Sequence, residues 1–428
     1  MTTDEVRAAA EQLLDFHERF APYFGRREAR DPAYSYLNGL MLCPERKSVE
    51  PMALILGQGR VSGLQKFLNR SPWDHDDIQL ELQAAFADEL VPSTSRWPPG
   101  TVGVVDESAF TKPGTPSAGV ARQPNGRLGK QDNCQVGVFL GGVTPAGCAR
   151  LEHGLSLHEE WFDRETGAAR RATVGAPENR SFQTKPQIAA AWIRSVVINE
   201  AVRLDWITAD EVYGENGEFL DELEALSLRD LVAVPVRTTV WTVDPSRCVP
   251  ASSGRGQPPK RPTREAVRTV AEVVAALPAT AWQTLAVREG ATGPLTFQFA
   301  RVRAWAVRHR RPGPPIWLLV RRSLEPDPEV KYHVSNAAAE ETLETLALVS
   351  SCRYRVEEVF EDAKGRLGMA QYETRSWVGW HHHMSLVALA HLFVTLTRQR
   401  LQKGARPRPR ANAGVPTRRR RSHPVASC

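Results

Sequence analysis

The stretch Val102-Gly-Val-Val-Asp106 is an apolar run that ends in an acid, and Leu204-Asp-Trp-Ile-Thr-Ala-Asp210 repeats this pattern later in the chain. Short apolar runs of this kind are typical of buried β-strands. A third acid, Glu357, opens a helical run far downstream. Carboxylates just past strand ends, together with one that projects from a helix, form a common oxygen cage for Mg²⁺. The three acids therefore predict a metal site built on a sheet.

The elements predicted around the first two acids alternate between strands and helices. They follow the linker at 98–100 and comprise strands at 101–106, 135–140 and 148–157, a helix at 185–202, a strand at 204–209, a helix after Gly214 and a strand at 230–236. The order β-β-β-α-β-α-β is typical of an α/β fold with helices on the faces of a mixed sheet. It matches a ribonuclease-H-like core.

The rest of the chain is predicted to add three regions to this core. The predicted domains are an N-terminal helical DNA-binding domain at 1–97, the first part of the core at 98–236, a β-rich insertion at 237–345 before the catalytic helix, the C-terminal core helices at 346–400 and a disordered basic tail at 401–428. The basic side chains that favour DNA binding by the first region are Arg46, Lys47, Arg60, Lys66 and Arg70. The alternative for residues 1–97 is a helical cap packed on the next domain.

Charge is unevenly distributed along the 428 residues. The chain carries 55 Lys and Arg against 49 Asp and Glu, a formal net charge of +6. From Arg398 onward there are ten Lys and Arg and no acid, and removing them leaves 45 − 49 = −4. Such a segment is predicted to be disordered. It either contacts phosphates loosely or is a solvated tail without a role.

The composition also bears on the protein's location. No run of about 18 apolar residues is present, so a membrane-spanning helix is not expected. The N-terminus has no basic segment followed by an apolar one, as a secretory signal would. The six cysteines lack CxxC spacing and are expected to be free thiols. These features predict a cytoplasmic protein.

Around Glu357 the spacing of charges predicts a phosphate-binding face. Arg353, Glu357 and Lys364 lie four and seven residues apart, within about 40° of one another on a helix. Two cations beside a metal-ligating carboxylate would hold a DNA phosphate next to the metal. The alternative is an ordinary surface pair between Arg353 and Glu357. Glu358 and Glu361 compete with Glu357 for this role, and only the register with the two cations favours Glu357.

Several motifs resemble the DDE transposases of bacterial insertion sequences, in the IS-four-like superfamily and its IS-seven-hundred-one group. The strings that carry the resemblance are Gly119-Val-Ala-Arg-Gln123, Gly129-Lys-Gln-Asp-Asn-Cys-Gln135, Arg353-x3-Glu357-x6-Lys364 and Tyr372-Glu-Thr-Arg-Ser-Trp377. The chain departs from the family pattern at two informative positions. Ser350 stands where the signature has Tyr, and Glu107 stands where a second Asp is frequent.

The resemblance implies a DNA transposase that cleaves and joins strands at the ends of its element. Asp106, Asp210 and Glu357 would be the catalytic metal ligands, and Arg353 and Lys364 the signature cations. It implies two Mg²⁺ ions, which Mn²⁺ can replace, and two such ions stabilise both the attacking and leaving oxygens of phosphoryl transfer. The partners are double-stranded DNA, at element ends and target, and a second copy in a homodimer, with no membrane. The alternatives are a catalytically inactive DNA-binding derivative and a stand-alone nuclease.

Two groups of side chains keep open interpretations. His381-His382-His383 either includes one or two phosphate contacts or is a polar helix start. The tryptophans of the β-rich insertion either stack on an unpaired base or belong to the core; they are Trp241, Trp282, Trp305 and Trp317.

Overall fold

The computed structural model of this chain describes residues 3–44, 46–57, 61–126, 128–250, 262–290 and 293–402. The predicted basic tail lies outside these residues, except for its first two positions. Among the described helices, none is long and apolar enough to cross a membrane. The described cysteines are free thiols, as predicted; they are Cys43, Cys134, Cys148, Cys248 and Cys352.

Helices dominate both ends of the chain. They are α1 (Thr3–Phe20), α2 (Arg27–Leu42), α3 (Val49–Ile55), α4 (Val61–Arg70), α5 (His75–Glu89), α6 (Gly167–Thr173), α7 (Lys185–Asn199), α8 (Glu211–Gly214), α9 (Gly217–Ala225), α10 (Val270–Ala275), α11 (Leu343–Arg366) and α12 (Trp377–Gln402). The strands are β1 (Val102–Thr111), β2 (Ala121–Asn125), β3 (Lys130–Thr144), β4 (Gly147–Ser156), β5 (Trp206–Ala209), β6 (Arg229–Val234), β7 (Thr239–Trp241), β8 (Val267–Thr269), β9 (Gln283–Gly290), β10 (Gly293–Arg308), β11 (Arg311–Arg322) and β12 (Val330–Ser335). The helical character predicted for residues 1–97 is therefore confirmed for the part of this range that the structure describes.

The centre of the molecule is a mixed sheet in the order β4-β3-β1-β5-β6. β1 runs antiparallel to β3 and parallel to β5, and β5 runs parallel to β6. Helices α7 and α9 return the chain between the parallel strands, as such connections require. The expected β-β-β-α-β-α-β order is present, with the short strand β2 and the short helices α6 and α8 added to it.

The position of Asp106 corrects the sequence prediction. β1 was expected to end at Asp106, but it continues to Thr111 because its far half keeps pairing with β3, through Phe110 with Gln135. The parallel pairing of β1 with β5 does stop early, at Val104 with Thr208. Asp106 and Asp210 therefore each lie two residues beyond the end of the same parallel pairing.

The β-rich region after β6, which the sequence predicted as a domain at 237–345, is joined to the core by strand pairing. β12 pairs antiparallel with β6, and the sheet continues through β11, β10, β7 and β8 to make twelve strands. β10 is the longest strand of this region, with 16 residues. β12 covers the edge of β6, which would otherwise expose unpaired backbone groups. The region and the core thus share one hydrogen-bonded sheet.

A buried polar joint locks β12 onto β6. The backbone N–H of Asp230 donates to the side chain of Asn336 at 2.7 Å, and the backbone N–H of Asn336 donates to the Asp230 carboxylate at 3.0 Å. The Ser335 hydroxyl adds a bond to the Asp230 carbonyl at 2.6 Å. Burial raises the pKa of Asp230 from 3.8 to about 7, although the Asn336 bond opposes this rise.

We expect the Asp230→Asn variant to depend less on pH for its stability. The folded-state pKa lies above the unfolded value, so this carboxyl's contribution is present below about pH 3.8 and is lost as the pH rises through about 7. Asn cannot titrate, and its side-chain oxygen can still accept the Asn336 bond. Urea denaturation across this range should show a flatter decline than wild type. Exposed Asp327→Asn is the matched control, and an equal flattening in it would contradict the assignment.

The N-terminal helices pack on the core rather than standing apart. α12 is buried along most of its length, and α2, α4 and α5 lie against it. The Tyr36 hydroxyl and His383 Nδ1 are 2.8 Å apart, and the Trp73 ring stacks on His382 at 3.6 Å. The cap interpretation of residues 1–97 therefore describes this packing, while DNA binding by them remains a prediction.

Candidate active site

The three predicted carboxylates project from three different elements. Asp106 lies within β1, where its Oδ1 accepts the Glu107 backbone N–H at 2.8 Å. Asp210 caps the one-turn helix α8 and accepts the Val212 N–H at 2.9 Å. Glu357 is an exposed residue in the middle of α11, a helix that packs across β1 and β5.

Electrostatics places these side chains in one neighbourhood. The pKa of Asp106 is raised to about 6, chiefly by burial and to a smaller extent by the negative charges of Asp210 and Glu357. The positive charge of Arg353 opposes that rise. Four residues from three separate parts of the chain therefore influence one another at the carboxyl end of the β1–β5 pairing.

The oxygens of the three carboxylates are not gathered as closely as the ligands of a bound ion would be. Among the described residues, the one group of three possible ligand atoms that all lie within 4.8 Å of one another is Asp74, His75 and Asp76, so the oxygens of Asp106, Asp210 and Glu357 do not all meet this limit. Asp74 is the N-cap of α5 and accepts the Asp76 N–H at 2.9 Å. Helix capping accounts for the position of Asp74 in that group.

The donor set at the predicted site nevertheless fits a hard divalent cation. All three donors are carboxylates, the ligands that Mg²⁺ prefers. Burial and mutual repulsion already disfavour the charge on Asp106, and a cation between the carboxylates would offset both effects.

The two signature cations on α11 face different parts of the site. Arg353 is half-buried and acts on Asp106, whereas the Lys364 ammonium lies 5.4 Å from the centre of the Phe110 ring near the end of β1. The structure has no Arg353–Glu357 ion pair within the described residues. Instead Glu358 forms an ion pair with Arg288 at 2.7 Å. The alternative of an ordinary Arg353–Glu357 surface pair is therefore wrong here.

Two features of the site were missed from sequence. Tyr213 is fully buried on α8, and its hydroxyl has no hydrogen-bond partner among the described residues. Its pKa is raised by burial and by the charges of Glu107, Asp210 and Asp106, which places the ring beside these acids. Glu107 itself pairs with Lys185 at 2.5 Å. The only sequence signal for Tyr213 was its place three residues after Asp210.

The polar residues of the family-like motifs between β1 and β3 have structural roles. Asn133 donates to the carbonyls of Lys112 and Gly114, at 2.6 and 2.8 Å. Gln135 donates to the Ala118 carbonyl at 2.6 Å and accepts the Tyr372 hydroxyl at 2.7 Å. These bonds fix the loop after β1, which carries the chain away from Asp106.

The consecutive histidines on α12 are interior residues, so both open interpretations for them are wrong. His382 contacts the carbonyls of Leu68 and Trp73 at 2.8 and 3.0 Å, and His381 Nδ1 contacts the Trp377 carbonyl at 2.9 Å. They bind α12 to the N-terminal helices, and burial lowers the pKa of all three histidines.

The tryptophans of the β-rich region are buried to different extents. Trp241 is buried, and the other three are half-buried. Trp317 donates to the Ala338 carbonyl at 2.8 Å and carries the Arg301 guanidinium 4.3 Å above its ring. Trp282 lies 3.9 Å from the Arg322 guanidinium. Trp282 and Trp317 are thus already engaged by arginine partners.

Comparison with known proteins gives two findings. A sequence model described as DDE superfamily endonuclease matches residues 19–294, more than half of the chain. That range contains Asp106 and Asp210 and ends before Glu357. The "Probable transposase for insertion sequence element IS701" of Microchaete diplosiphon is 32% identical over 205 residues, which are 47% of this chain and 48% of that protein. The chain thus spans about half the length of the curated relative that it matches.

Proposed function

Because the chain belongs to the DDE superfamily endonucleases, we propose that it is a DNA transposase that binds the inverted repeats of its element and cleaves and transfers strands there. The observation that carries the proposal is that Asp106 and Asp210 each lie two residues beyond the end of the β1–β5 pairing, while α11, which bears Glu357, packs across both strands. The similarity to an insertion-sequence transposase supports DNA as the substrate.

Each side chain has a defined task in this proposal. Asp106, Asp210 and Glu357 would hold two Mg²⁺ ions, whose charge would supply Lewis-acid stabilisation for the attacking and leaving oxygens of phosphoryl transfer. Arg353 binds a phosphate oxygen beside Glu357, and Lys364 binds the DNA backbone towards β1. The Tyr213 hydroxyl is buried beside these acids and makes no hydrogen bond among the described residues, so it is available to donate to a group that enters the site.

The strand order supports a ribonuclease-H-like core. In that arrangement three antiparallel strands are followed by two parallel ones on the other side of the first strand, and β4-β3-β1-β5-β6 has this order. The first acid then lies on the central strand and the second follows its parallel neighbour. A site at the carboxyl ends of adjacent parallel strands is common in α/β proteins.

DNA contact by the N-terminal region is best assigned to exposed charges. Lys66 and Arg70 are exposed on α4, whereas Lys47 is buried and donates to the Cys43 carbonyl, so Lys47 cannot serve; Arg60 lies outside the described residues. Deleting residues 1–97 would uncover α12. The double variant Lys66→Gln/Arg70→Gln tests recognition of the element's ends without exposing α12.

We propose that the protein is a homodimer in its complex with DNA, because the two ends of the element must be handled together.

We expect strand cleavage to require Mg²⁺ or Mn²⁺. Removal of the metal with EDTA should abolish cleavage of a duplex that carries the element's end, and Ca²⁺ should support binding without cleavage because its looser coordination misplaces the nucleophile. Mg²⁺ should also raise the melting temperature of the wild type more than that of Asp106→Asn, since a cation that binds the folded state stabilises it. Cleavage at full rate in EDTA would reject the mechanism. End binding by a wild type that never cleaves with any of these metals would favour the inactive DNA-binding alternative.

A further inference from the structure

A second group of possible metal ligands lies at the start of α5, on an element that carries none of the three predicted carboxylates. The ligand atoms of Asp74, His75 and Asp76 all lie within 4.8 Å of one another. His75 Nε2 is 3.4 Å from Asp76 Oδ1, and His75 Nδ1 is 3.8 Å from Asp74 Oδ1. The His75 ring is partly buried, while both acids are exposed, so an ion in solution can reach the group. Helix capping does not explain why the ring lies between two carboxylates.

The ring of His381, on α12, lies against this group. Its centre is 4.6 Å from the centre of the His75 ring. His381 Nδ1 contacts the Trp377 carbonyl at 2.9 Å, whereas its Nε2 makes no hydrogen bond among the described residues, although the residue is only 3% exposed. Two imidazoles that bind one ion have ring centres roughly 5 Å apart, because Zn–N distances are about 2.0–2.1 Å. The spacing of these two rings therefore fits a shared ion.

The other two histidines of the run on α12 have different partners. His382 uses both ring nitrogens on the carbonyls of Leu68 and Trp73. His383 contacts the Tyr36 hydroxyl through Nδ1. The histidine that precedes them is therefore the member of the run that lies beside the start of α5 with a ring nitrogen left over.

Each of the two facing rings has an oxygen beside its other nitrogen. Asp74 lies beside Nδ1 of His75, and the Trp377 carbonyl lies beside Nδ1 of His381. A histidine that binds a metal through one nitrogen usually donates the N–H of the other to a carboxylate or a carbonyl, which fixes the tautomer and the orientation of the ring. Both rings are therefore arranged to present Nε2, and Asp76 supplies a carboxylate beside one of them.

We propose that His75, Asp76 and His381 bind one Zn²⁺ ion. Asp74 orients the His75 ring, and water completes the coordination of the ion. Imidazole nitrogens combined with a carboxylate are typical zinc ligands, whereas Mg²⁺ prefers oxygen ligands alone. The ion links the start of α5 to α12, and it is distinct from the ions proposed for the candidate active site.

Zinc binding by the full-length protein tests this proposal. Zn²⁺ is titrated into the metal-free wild type in an excess of Mg²⁺, which competes for the carboxylates of the candidate active site, and bound zinc is measured by equilibrium dialysis. We expect one tightly bound Zn²⁺ per chain and a rise in melting temperature, because a ligand of the folded state stabilises that state. Zinc that bound only weakly, or in several equivalents, would reject the site.

Substitutions at the start of α5 locate the bound ion. His75→Gln should weaken zinc binding by at least the roughly 100-fold that the loss of an orienting partner alone can cost. Asp74→Asn keeps a good N-cap residue and should weaken zinc binding about 10-fold, because it removes only an orienting carboxylate. His158→Gln is the matched control, since His158 also lies beside an acid at a helix start, 3.2 Å from Glu160. It should bind zinc as the wild type does, and equal affinity in His75→Gln would disprove the proposal.

The part played by His381 is measured without a substitution, because a change at this buried ring could prevent folding. Two-bond ¹⁵N–¹H spectra of the histidine rings report which nitrogens bind the metal. Zn²⁺ should shift the ring nitrogens of two histidines, and His75→Gln should abolish both shifts. A shift confined to one histidine would overturn the shared site.

Asp106→Asn separates this site from the candidate active site. It should lose strand cleavage and keep zinc binding, whereas His75→Gln should keep Mg²⁺-dependent cleavage. If Asp106→Asn abolished zinc binding and His75→Gln did not, the ion would belong to the active-site carboxylates and the proposal would be wrong. A wild type that binds zinc through His75 but never cleaves DNA would reject the proposed function alone.

Discussion

Asp106→Asn, Asp210→Asn and Glu357→Gln should each abolish strand cleavage while leaving binding to the element's end intact. Each substitution keeps the size of the side chain and removes the negative charge that a divalent ion requires. Because the carboxylates repel one another around Asp106, removing one of them should not destabilise the fold. Melting curves should therefore stay at or above that of the wild type, and cleavage of an end-labelled duplex is the decisive measurement.

The neighbouring acids on α11 supply the control for Glu357. Glu358→Gln and Glu361→Gln change exposed carboxylates on the same helix, one of them already paired with Arg288. Both should cleave at rates close to wild type. If Glu358→Gln or Glu361→Gln were inactive and Glu357→Gln active, the register with Arg353 and Lys364 would have selected the wrong acid.

Gly214→Ala should damage both stability and cleavage. A Cβ at Gly214 would collide with the Ala233 carbonyl oxygen of β6, and it would lie 3.2 Å from the Val234 side chain. Because the backbone of β6 cannot move aside without distorting the sheet, we expect the free energy of unfolding to fall by about 1–3 kcal/mol. α8 would have to move, and it carries Asp210 at its start and Tyr213 within it. A shift of about 1 Å at such a site costs roughly 100-fold in rate.

Gly365→Ala is the control for this substitution. Gly365 lies on α11 beside Lys364, and a Cβ there would meet nothing within 4 Å. Alanine in an open helical position should raise the free energy of unfolding by about 0.5–1 kcal/mol. A cleavage rate in Gly214→Ala equal to that of the wild type would show that α8 does not position the second acid.

The sequence was sufficient to predict the parts of the fold with strong local patterns. The helices at both ends, the central strand order and the family resemblance were predicted, and the comparisons confirm that resemblance. Five strands were missed because each is short or half-exposed and therefore lacks the run of apolar residues that marks a buried strand; they are β2, β7, β8, β9 and β12. The continuity of the sheet was also missed, since the pairing of β12 with β6 depends on residues that are distant in sequence.

The candidate site also combines features that local sequence patterns predict with features that depend on tertiary packing. The register of Arg353, Glu357 and Lys364 is a local property of one helix, and it could be read from spacing. The placement of Tyr213 beside the acids could not, because it depends on the packing of α8 against β6. His381 to His383 were misjudged for a related reason: burial of polar rings requires partners such as Tyr36 and the Trp73 carbonyl, which no local pattern reveals.

The joint between β6 and β12 has a consequence for the order in which the protein folds. Asp210 and Glu357 are separated by 146 residues, and α11 follows directly after β12 has returned to the core sheet. Contacts between distant segments form late, because closing a long loop costs entropy before the contact repays it. The third acid therefore joins the other two only after β7 to β12 have assembled. In a pulse-labelling experiment, protection of the α11 amides should lag behind that of β1 and β5.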